Sequence, residues 1–150
     1  MIIFPAVLLT LLVLGFLVLG QVSQTQPGNL GIHDRKLAPL APTPNGVSSQ
    51  SPATAQYIEP LRYTKSRAEA LACLKEVLRR QPRATLIGET DRYLHVEFRS
   101  RLFRFVDDVE FLVDDHVIQV RSASRVGRSD LGVNRQRIES LRLQFNELQP

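Results

Sequence analysis

Three very short connectors separate four strand-like stretches, and they constrain the fold more than any other feature of the chain. The strand-like stretches lie near residues 85–89, 93–99, 103–113 and 117–126. The connectors are residues 90–91, 100–101 and 115–116. Connections this short can join antiparallel strands but cannot make a parallel crossover. The sequence therefore predicts an antiparallel meander.

Two amphipathic helices flank the predicted meander. Ser66 and Glu69 form the pattern of a capping box, and apolar residues follow at helical spacing until Pro82 ends the run. The second helix is expected over residues 131–148. Its apolar face contains Leu131, Ile138, Leu141, Phe145 and Leu148. The predicted fold class is α+β: an antiparallel three- to four-stranded meander with two packed helices, preceded by an N-terminal apolar membrane segment.

Residues 2–20 contain no charged side chain and are dominated by Leu, Val, Ile and Phe. At ~1.5 Å per residue, such a helix would cover roughly the ~30 Å hydrocarbon core of a bilayer. An uncleaved anchor is favoured. The alternatives are a cleaved signal peptide ending near Gly20, and a buried helix. Arg35 and Lys36 give only a weak orientation signal, and the single Cys73 does not decide the compartment.

Composition divides the chain further. From Gln21 to about Gln56, Pro, Gly, Ser and Thr interrupt any helical or strand period. We expect a signal anchor or signal peptide at 1–20, a flexible spacer at 21–36, an extended arm at 37–56 and an α+β domain at 57–150.

A turn at residues 115–116 would fix which side chains share a face of the sheet. The predicted pairs are Val113 with Ile118, Phe111 with Val120, Val109 with Ser122, and Asp107 with Ser124. A turn at residues 100–101 would likewise pair Phe98 with Phe103 and Val96 with Phe105. Asp107 then lies on the apolar face, where it needs a partner such as Asn134, Arg135 or Arg137. Asp108 and Glu110 lie on the opposite face, predicted to be solvated, near Arg121 and Arg125.

The arginine-rich stretch from residue 121 to 137 is the strongest indication of a binding site. Guanidinium groups beside a helix N-terminus suit a carboxylate or a phosphate. The candidate binding residues are Asp107, Asp108, Glu110, Arg121, Ser122, Ser124, Arg125, Asp130, Asn134 and Arg135. The structural alternatives are cross-strand ion pairs on a solvated face and a tie between helix and sheet.

Signatures of catalysis are weak. His33, His95 and His116 have no metal-ligand spacing, His95 is expected on the solvated face, and no Ser-His-Asp arrangement can be proposed. The sequence therefore indicates no catalytic residue, no metal and no cofactor. A net charge of +4 is too small to predict a nucleic-acid surface. The sequence does not determine an oligomeric state.

Four motifs resemble the domain-of-unknown-function 1499 family. They are PTPNGVSSQ at 42–50, YIEPL at 57–61, FRFVDDVEF at 103–111 and VRSASRVGRSDLGVNRQRIESLR at 120–142. The resemblance covers roughly residues 37–148. Members often carry Cys where this chain has Gly46, so a thiol role is not available there.

The family has no established reaction. Its members occur in bacteria and plastids, often behind an apolar N-terminus. The resemblance therefore implies a membrane-anchored chain with its domain on the extracytoplasmic side, or a cleaved and exported one. We expect a non-catalytic binding or accessory domain that recognises an anionic small molecule or a carboxylate of a partner protein. The alternative is a small hydrolase or metal-assisted enzyme using Asp107 or Asp108.

Overall fold

The computed structural model describes residues 3–149 and is organised around one antiparallel sheet. The helices are α1 (Ile3–Val22), α2 (Arg67–Arg79) and α3 (Val133–Leu148). The strands are β1 (Ile32–His33), β2 (Lys36–Leu37), β3 (Gly46–Ser48), β4 (Leu61–Arg62), β5 (Ala84–Glu89), β6 (Tyr93–Arg99), β7 (Val106–Asp114) and β8 (Val117–Ser124). In these residues the main sheet has six strands in the order β3-β8-β7-β6-β5, with β4 also pairing with β8. β1 and β2 form a separate small hairpin.

The two helices of the domain begin in different ways. The capping box of α2 is confirmed: the Oγ of Ser66 accepts from the amide of Glu69, whose carboxylate accepts from the amide of Ser66. α3 begins at Val133, two residues later than predicted, because Gly132 has a left-handed φ of 81°. Leu131 therefore lies outside the helix, with 88% of its surface exposed.

The hydrophobic core lies between one face of the sheet and the helices α2 and α3. Phe111 and Val120 of the sheet pack with Leu74 of α2 and with Ile138 and Phe145 of α3, and all five are fully buried. Alternation along β7 and β8 places most of the apolar side chains on this face, as predicted, but Leu112 is buried on the opposite face. Burying these side chains removes the apolar faces of α2 and α3 from water and holds both helices against the sheet.

The α+β class holds, but the predicted fold was wrong in two respects. Within residues 3–149 there are three helices and six strands in the main sheet. The additional strands β3 and β4 are three and two residues long, which is too short to show an alternating pattern.

The N-terminal membrane segment is the second correction. Among residues 3–149, we find no helix that combines the length and the apolar composition of a membrane span. Part of α1 contacts the loop between β6 and β7: the ring of Phe16 stacks on Phe103 at 4.8 Å, and Gly20 lies against the backbone of Phe103. Ile2, where the predicted segment begins, lies outside the described residues. The expected location of the protein stays a prediction.

One of the two predicted hairpin registers is confirmed. Asp107 pairs with Ser124 and Val113 with Ile118, as expected for β7 and β8. The β6–β7 register was wrong: Phe98 pairs with Asp107, not with Phe103. A longer loop replaces the two-residue turn, and within it the amide of Ser100 donates to the carbonyl of Phe105. The register shift is four residues, an even number, so the side chains within β6 and β7 keep their predicted faces, whereas Phe103 and Phe105 lie in the loop between the strands.

The second face of the sheet is covered by residues 23–40, called here the N-terminal cover. The amide of Gly31 donates to a carboxylate oxygen of Glu110 at 2.7 Å. Arg125 donates to the carbonyl oxygens of Ser23 and Gln24. Leu37 in β2 is 4% exposed, and β2 contacts both β7 and β8. The stretch expected to be a spacer therefore forms part of a third layer over the sheet.

Candidate functional site

Arg125 is the centre of a charged network beneath the N-terminal cover. Its Nε and Nη2 donate to the two carboxylate oxygens of Asp108 at 2.8 and 2.7 Å, and Nη2 also donates to Glu97 at 2.5 Å. The side chains of Arg125 and Asp108 are each only 2% exposed. The solvated face expected for Asp108 and Arg125 was wrong, because the cover excludes water from this face. The bidentate pairing keeps both charges satisfied there.

His95 is the second partner of Asp108. Its Nε2 donates to Asp108 at 2.7 Å, and the residue is 3% exposed, so its predicted position on a solvated face was also wrong. Burial raises the pKa of Asp108, but the hydrogen bonds from Arg125 and His95 outweigh it and leave the pKa below its usual value. Asp108 is therefore an ionised carboxylate between two donors.

Glu110 forms a second group on the same face and is fully buried. It accepts hydrogen bonds from Arg121 at 2.8 Å, from the hydroxyl of Tyr93 at 2.7 Å and from the amide of Gly31. Burial and the hydrogen bond to Glu110 raise the pKa of Tyr93, so Tyr93 stays a neutral donor. Among the described residues, the buried Nε of Arg121 has no hydrogen-bond partner.

A separate polar cluster ties α3 to the helix-covered face. Arg137 donates to Asp107 at 2.6 Å and to the side-chain oxygen of Asn134 at 2.6 Å. Ser122 also donates to that oxygen, and the amide nitrogen of Asn134 donates to Ser124 at 3.1 Å. Asp107 thus has the arginine partner expected at the start of the second helix. Its side chain is still 14% exposed, more than that of Asp108.

The remaining predicted residues support the chain around this cluster. Asp130 accepts from the amides of Gly132 and Asn134, and these bonds hold its pKa low although burial raises it. Arg135 donates to the carbonyl oxygens of Ala55 and Tyr57. Neither residue joins the network around Arg125. The ten predicted residues thus divide between the two faces of the sheet, the loop before α3 and the first turn of α3.

Sequence reasoning missed several members of both clusters. Tyr93, His95 and Glu97 occupy alternate positions of β6 on the face of Asp108 and Glu110. That alternation of polar residues was visible in the sequence and predicted a polar face, although not a buried one. Asn45 was also missed; its side chain donates to the carbonyls of Ser124 and Gly127, a long-range contact without a local sequence signal.

A cleft of about 350 Å³ lies next to the Asp107 cluster, between the end of α1 and the loop before α3. Its apolar lining residues are Phe16, Leu19, Phe105, Val126, Leu131 and Val133. Its lining also includes Ser124, Ser129 and two carboxylates, Asp107 and Asp130. The cleft is therefore an apolar recess whose charged lining groups are acidic.

The described residues contain no group of three or more His, Cys, Asp and Glu side chains placed to hold a metal ion. Asp107 and Asp108, the carboxylates considered for catalysis, are each hydrogen-bonded to a guanidinium group. A role for either as a general base would require that contact to break. The role of the ten predicted residues in binding a ligand stays a prediction.

Residues 36–145 match the model of the family described as Protein of unknown function (DUF1499), and the chain belongs to that family. The match covers the sheet, α2 and most of α3, and includes both polar clusters. It confirms the resemblance carried by the four sequence motifs. No curated protein matches the chain.

Proposed function

We propose that this protein is a non-catalytic binding domain that takes a small amphipathic molecule in the cleft between α1 and the loop before α3. The proposed ligand has an apolar body and a cationic or hydrogen-bond-donating head group. The observation that carries the proposal is the lining of the cleft, whose walls are apolar and whose charged groups are Asp107 and Asp130. Apolar walls with a few placed polar groups are typical of small-molecule sites.

The charges disfavour the anionic ligand expected from the sequence. The guanidinium groups of Arg121, Arg125 and Arg137 donate to carboxylates of the protein itself. An anion in the cleft would approach the carboxylate of Asp130 and be repelled by it, whereas the charge of Asp107 is already balanced by Arg137. A cation or a neutral donor would find acceptors at the same place.

The size of the cleft limits the ligand. Small-molecule pockets span roughly 300–1,000 Å³, and this cleft, at about 350 Å³, is near the lower end. A short alkyl chain or one aromatic ring with a single head group suits this volume.

The head-group preference can be tested with three probes that share one alkyl chain: octylamine, octanol and octanoate. Each would be titrated into isotopically labelled full-length protein below its micelle concentration, with amide shifts as the readout. We expect octylamine to bind most tightly, octanol less tightly and octanoate weakest, with shifts at Val126, Leu131 and Val133. The opposite order would contradict the proposal.

Two matched variants test the location. Leu131→Ser removes an apolar lining residue that is 88% exposed, so the fold should tolerate it while octylamine binds more weakly. Leu143→Ser is the control, because Leu143 is 65% exposed on α3 and does not line the cleft. Equal binding by both variants would place the probe elsewhere and sink the proposal. Asp130→Asn should reduce the preference for octylamine over octanol.

A further inference from the structure

A second cleft, of about 740 Å³, lies between residues 33–42 and residues 48–56. It shares no lining residue with the cleft between α1 and the loop before α3. Pro42, Ser48 and Gln50 of the motif PTPNGVSSQ line it. Its volume falls within the range of roughly 300–1,000 Å³ that is usual for small-molecule sites. A motif of the family therefore forms part of the wall of a space of ligand size.

Two lining side chains offer hydrogen-bond donors that the protein itself does not use. Ser48 is 3% exposed, and its Oγ accepts from the amide of Gln50 at 3.2 Å. The Oε1 of Gln50 accepts from the amide of Leu37 at 2.9 Å, which fixes which end of this side-chain amide is the acceptor. Among residues 3–149, neither the hydroxyl hydrogen of Ser48 nor the Nε2 of Gln50 has an acceptor. An acceptor group of a ligand in the cleft can use both donors.

The β1–β2 hairpin adds one charge of each sign to the lining. Its turn residues Asp34 and Arg35 have φ values of 48° and 63°, as in the two-residue turns of tight hairpins. Asp34 and Lys36, the residue that follows the turn, both line the cleft. Within the described chain neither Asp34 nor Lys36 has an ion-pair partner. The cleft therefore offers a carboxylate and an ammonium group that a ligand can use.

We infer that this second cleft binds a free amino acid. The carboxylate of the ligand accepts hydrogen bonds from Ser48, Gln50 and Lys36. Its ammonium group donates to the carboxylate of Asp34. Because the lining contains one Lys and one Asp, a ligand that carries both charges is matched better than an anion or a cation alone.

The apolar part of the lining favours an amino acid with a large side chain. Pro39, Leu40, Pro42 and Pro52 line the cleft. Proline rings are rigid, so they form an apolar wall with little loss of conformational entropy on binding. An aromatic side chain buries apolar surface against this wall, whereas glycine has no side chain to bury. We therefore expect phenylalanine to bind more tightly than glycine.

Three probes that share one phenyl group separate the contributions of the two charges. Phenylalanine carries both head groups, phenethylamine only the ammonium, and 3-phenylpropanoate only the carboxylate. Each would be titrated into isotopically labelled full-length protein, with amide shifts as the readout. We expect phenylalanine to bind most tightly, with shifts at Lys36, Ser48 and Gln50. The reporters of the proposed function are Val126 and Leu131, so failure of either proposal leaves the other standing. A single-charge probe that binds as tightly as phenylalanine would overturn the inference, as would the absence of binding by all three.

Charge-removing variants assign each head group to its partner. Lys36 and Asp34 are exposed, so the fold should tolerate their replacement. Lys36→Gln should weaken phenylalanine binding by about two- to fivefold, the range for exposed ion pairs, without weakening phenethylamine. Asp34→Asn should weaken phenylalanine by a similar factor without weakening 3-phenylpropanoate.

Matched controls remove the same charges elsewhere. Lys65→Gln and Asp115→Asn change residues that do not line the cleft, so phenylalanine should bind both variants as it binds the wild type. Circular dichroism confirms that each variant is folded. Equal losses in the controls and in the Lys36 and Asp34 variants would overturn the inference, because the effect would then come from net charge and not from the cleft.

Discussion

The helix-covered face of the sheet and the face under the N-terminal cover are both closed to water, but by different interactions. On the first, Phe111, Val120 and Phe145 are fully buried among other apolar side chains. On the second, the buried side chains include Glu110 and Asp108. The first face is stabilised by hydrocarbon burial. The stability of the second face depends on each buried charged group having a partner.

This difference changes how each face responds to mutation. Removing one methylene group from an apolar core costs little more than the lost burial and the cavity. Removing one member of a buried ion network leaves the other charge unpaired, which costs more than the pair contributed. The face under the cover should therefore be the more sensitive to single substitutions of its charged residues.

Asp108→Ala tests this sensitivity and should have the largest effect. It leaves Arg125 and His95 without their shared acceptor beneath the cover. We expect the free energy of unfolding to fall by about 3–5 kcal/mol, measured by urea titration. The control is Asp115→Ala: that carboxylate is 88% exposed in its ion pair with Arg67, and its loss should cost under about 1 kcal/mol. Similar losses in both variants would contradict a sealed network.

The sequence predicted much of the sheet but not the third layer. Alternation in β7 and β8 placed Asp107 on one face and Asp108 on the other, because side chains in a strand have a period of two. The alternation did not determine which face of the sheet is accessible to water. The missing information was the position of residues 23–40, whose contacts are made to residues about 80–100 positions away, such as Gly31 with Glu110 and Ser23 with Arg125.

The candidate site, like the fold, could be predicted only in part from the sequence. The arginine-rich stretch did lead to the polar contacts between α3 and the sheet. Ion pairs of Arg121, Arg125 and Arg137 with carboxylates of the chain were among the structural alternatives from the sequence, and the structure contains all three. The cleft beside Asp107 was hidden, because Phe16 and Leu131 reach it from opposite ends of the chain.

Two truncations, one ending within α1 and one ending just after it, separate the residues that support the cover from those that do not. Deleting residues 1–15 should leave the free energy of unfolding unchanged, since residues 6–15 are exposed. Deleting residues 1–24 also removes the stacking of Phe16 on Phe103 and the contacts of Ser23 and Gln24 with Arg125. We expect the longer deletion to cost about 2–4 kcal/mol in thermal or urea unfolding. Equal stability of the two truncations would show that the cover does not depend on α1.

Asp107→Ala probes the polar tie on the helix-covered face and should have a smaller effect than Asp108→Ala. Arg137 keeps its hydrogen bond to Asn134 and its position 4.7 Å over the ring of Phe98. We expect a loss of about 1.5–3 kcal/mol, because one charge-assisted hydrogen bond is removed at a partly exposed site. A loss equal to that of Asp108→Ala would remove the proposed difference between the two faces.

Acid should lower the free energy of unfolding by protonating Asp108 beneath the cover. In moderate acid we expect this loss to be the smallest of the four predicted effects. The pKa of Asp108 in the folded protein lies below its usual 3.8, because the hydrogen bonds from Arg125 and His95 outweigh the effect of burial. A carboxyl group with a lowered pKa stabilises the fold above its unfolded pKa and loses that contribution as the pH falls through the folded value.

The urea midpoint of the wild type should therefore fall more between about pH 6 and about pH 3 than that of Asp108→Asn, which has no carboxyl group to titrate there. Asp130 also has a lowered pKa but lies outside this network, so Asp130→Asn should retain the acid sensitivity due to Asp108. A carbon-13 titration of the Asp108 carboxyl group gives the folded pKa directly, and a value above 3.8 would mean that burial outweighs the two hydrogen bonds.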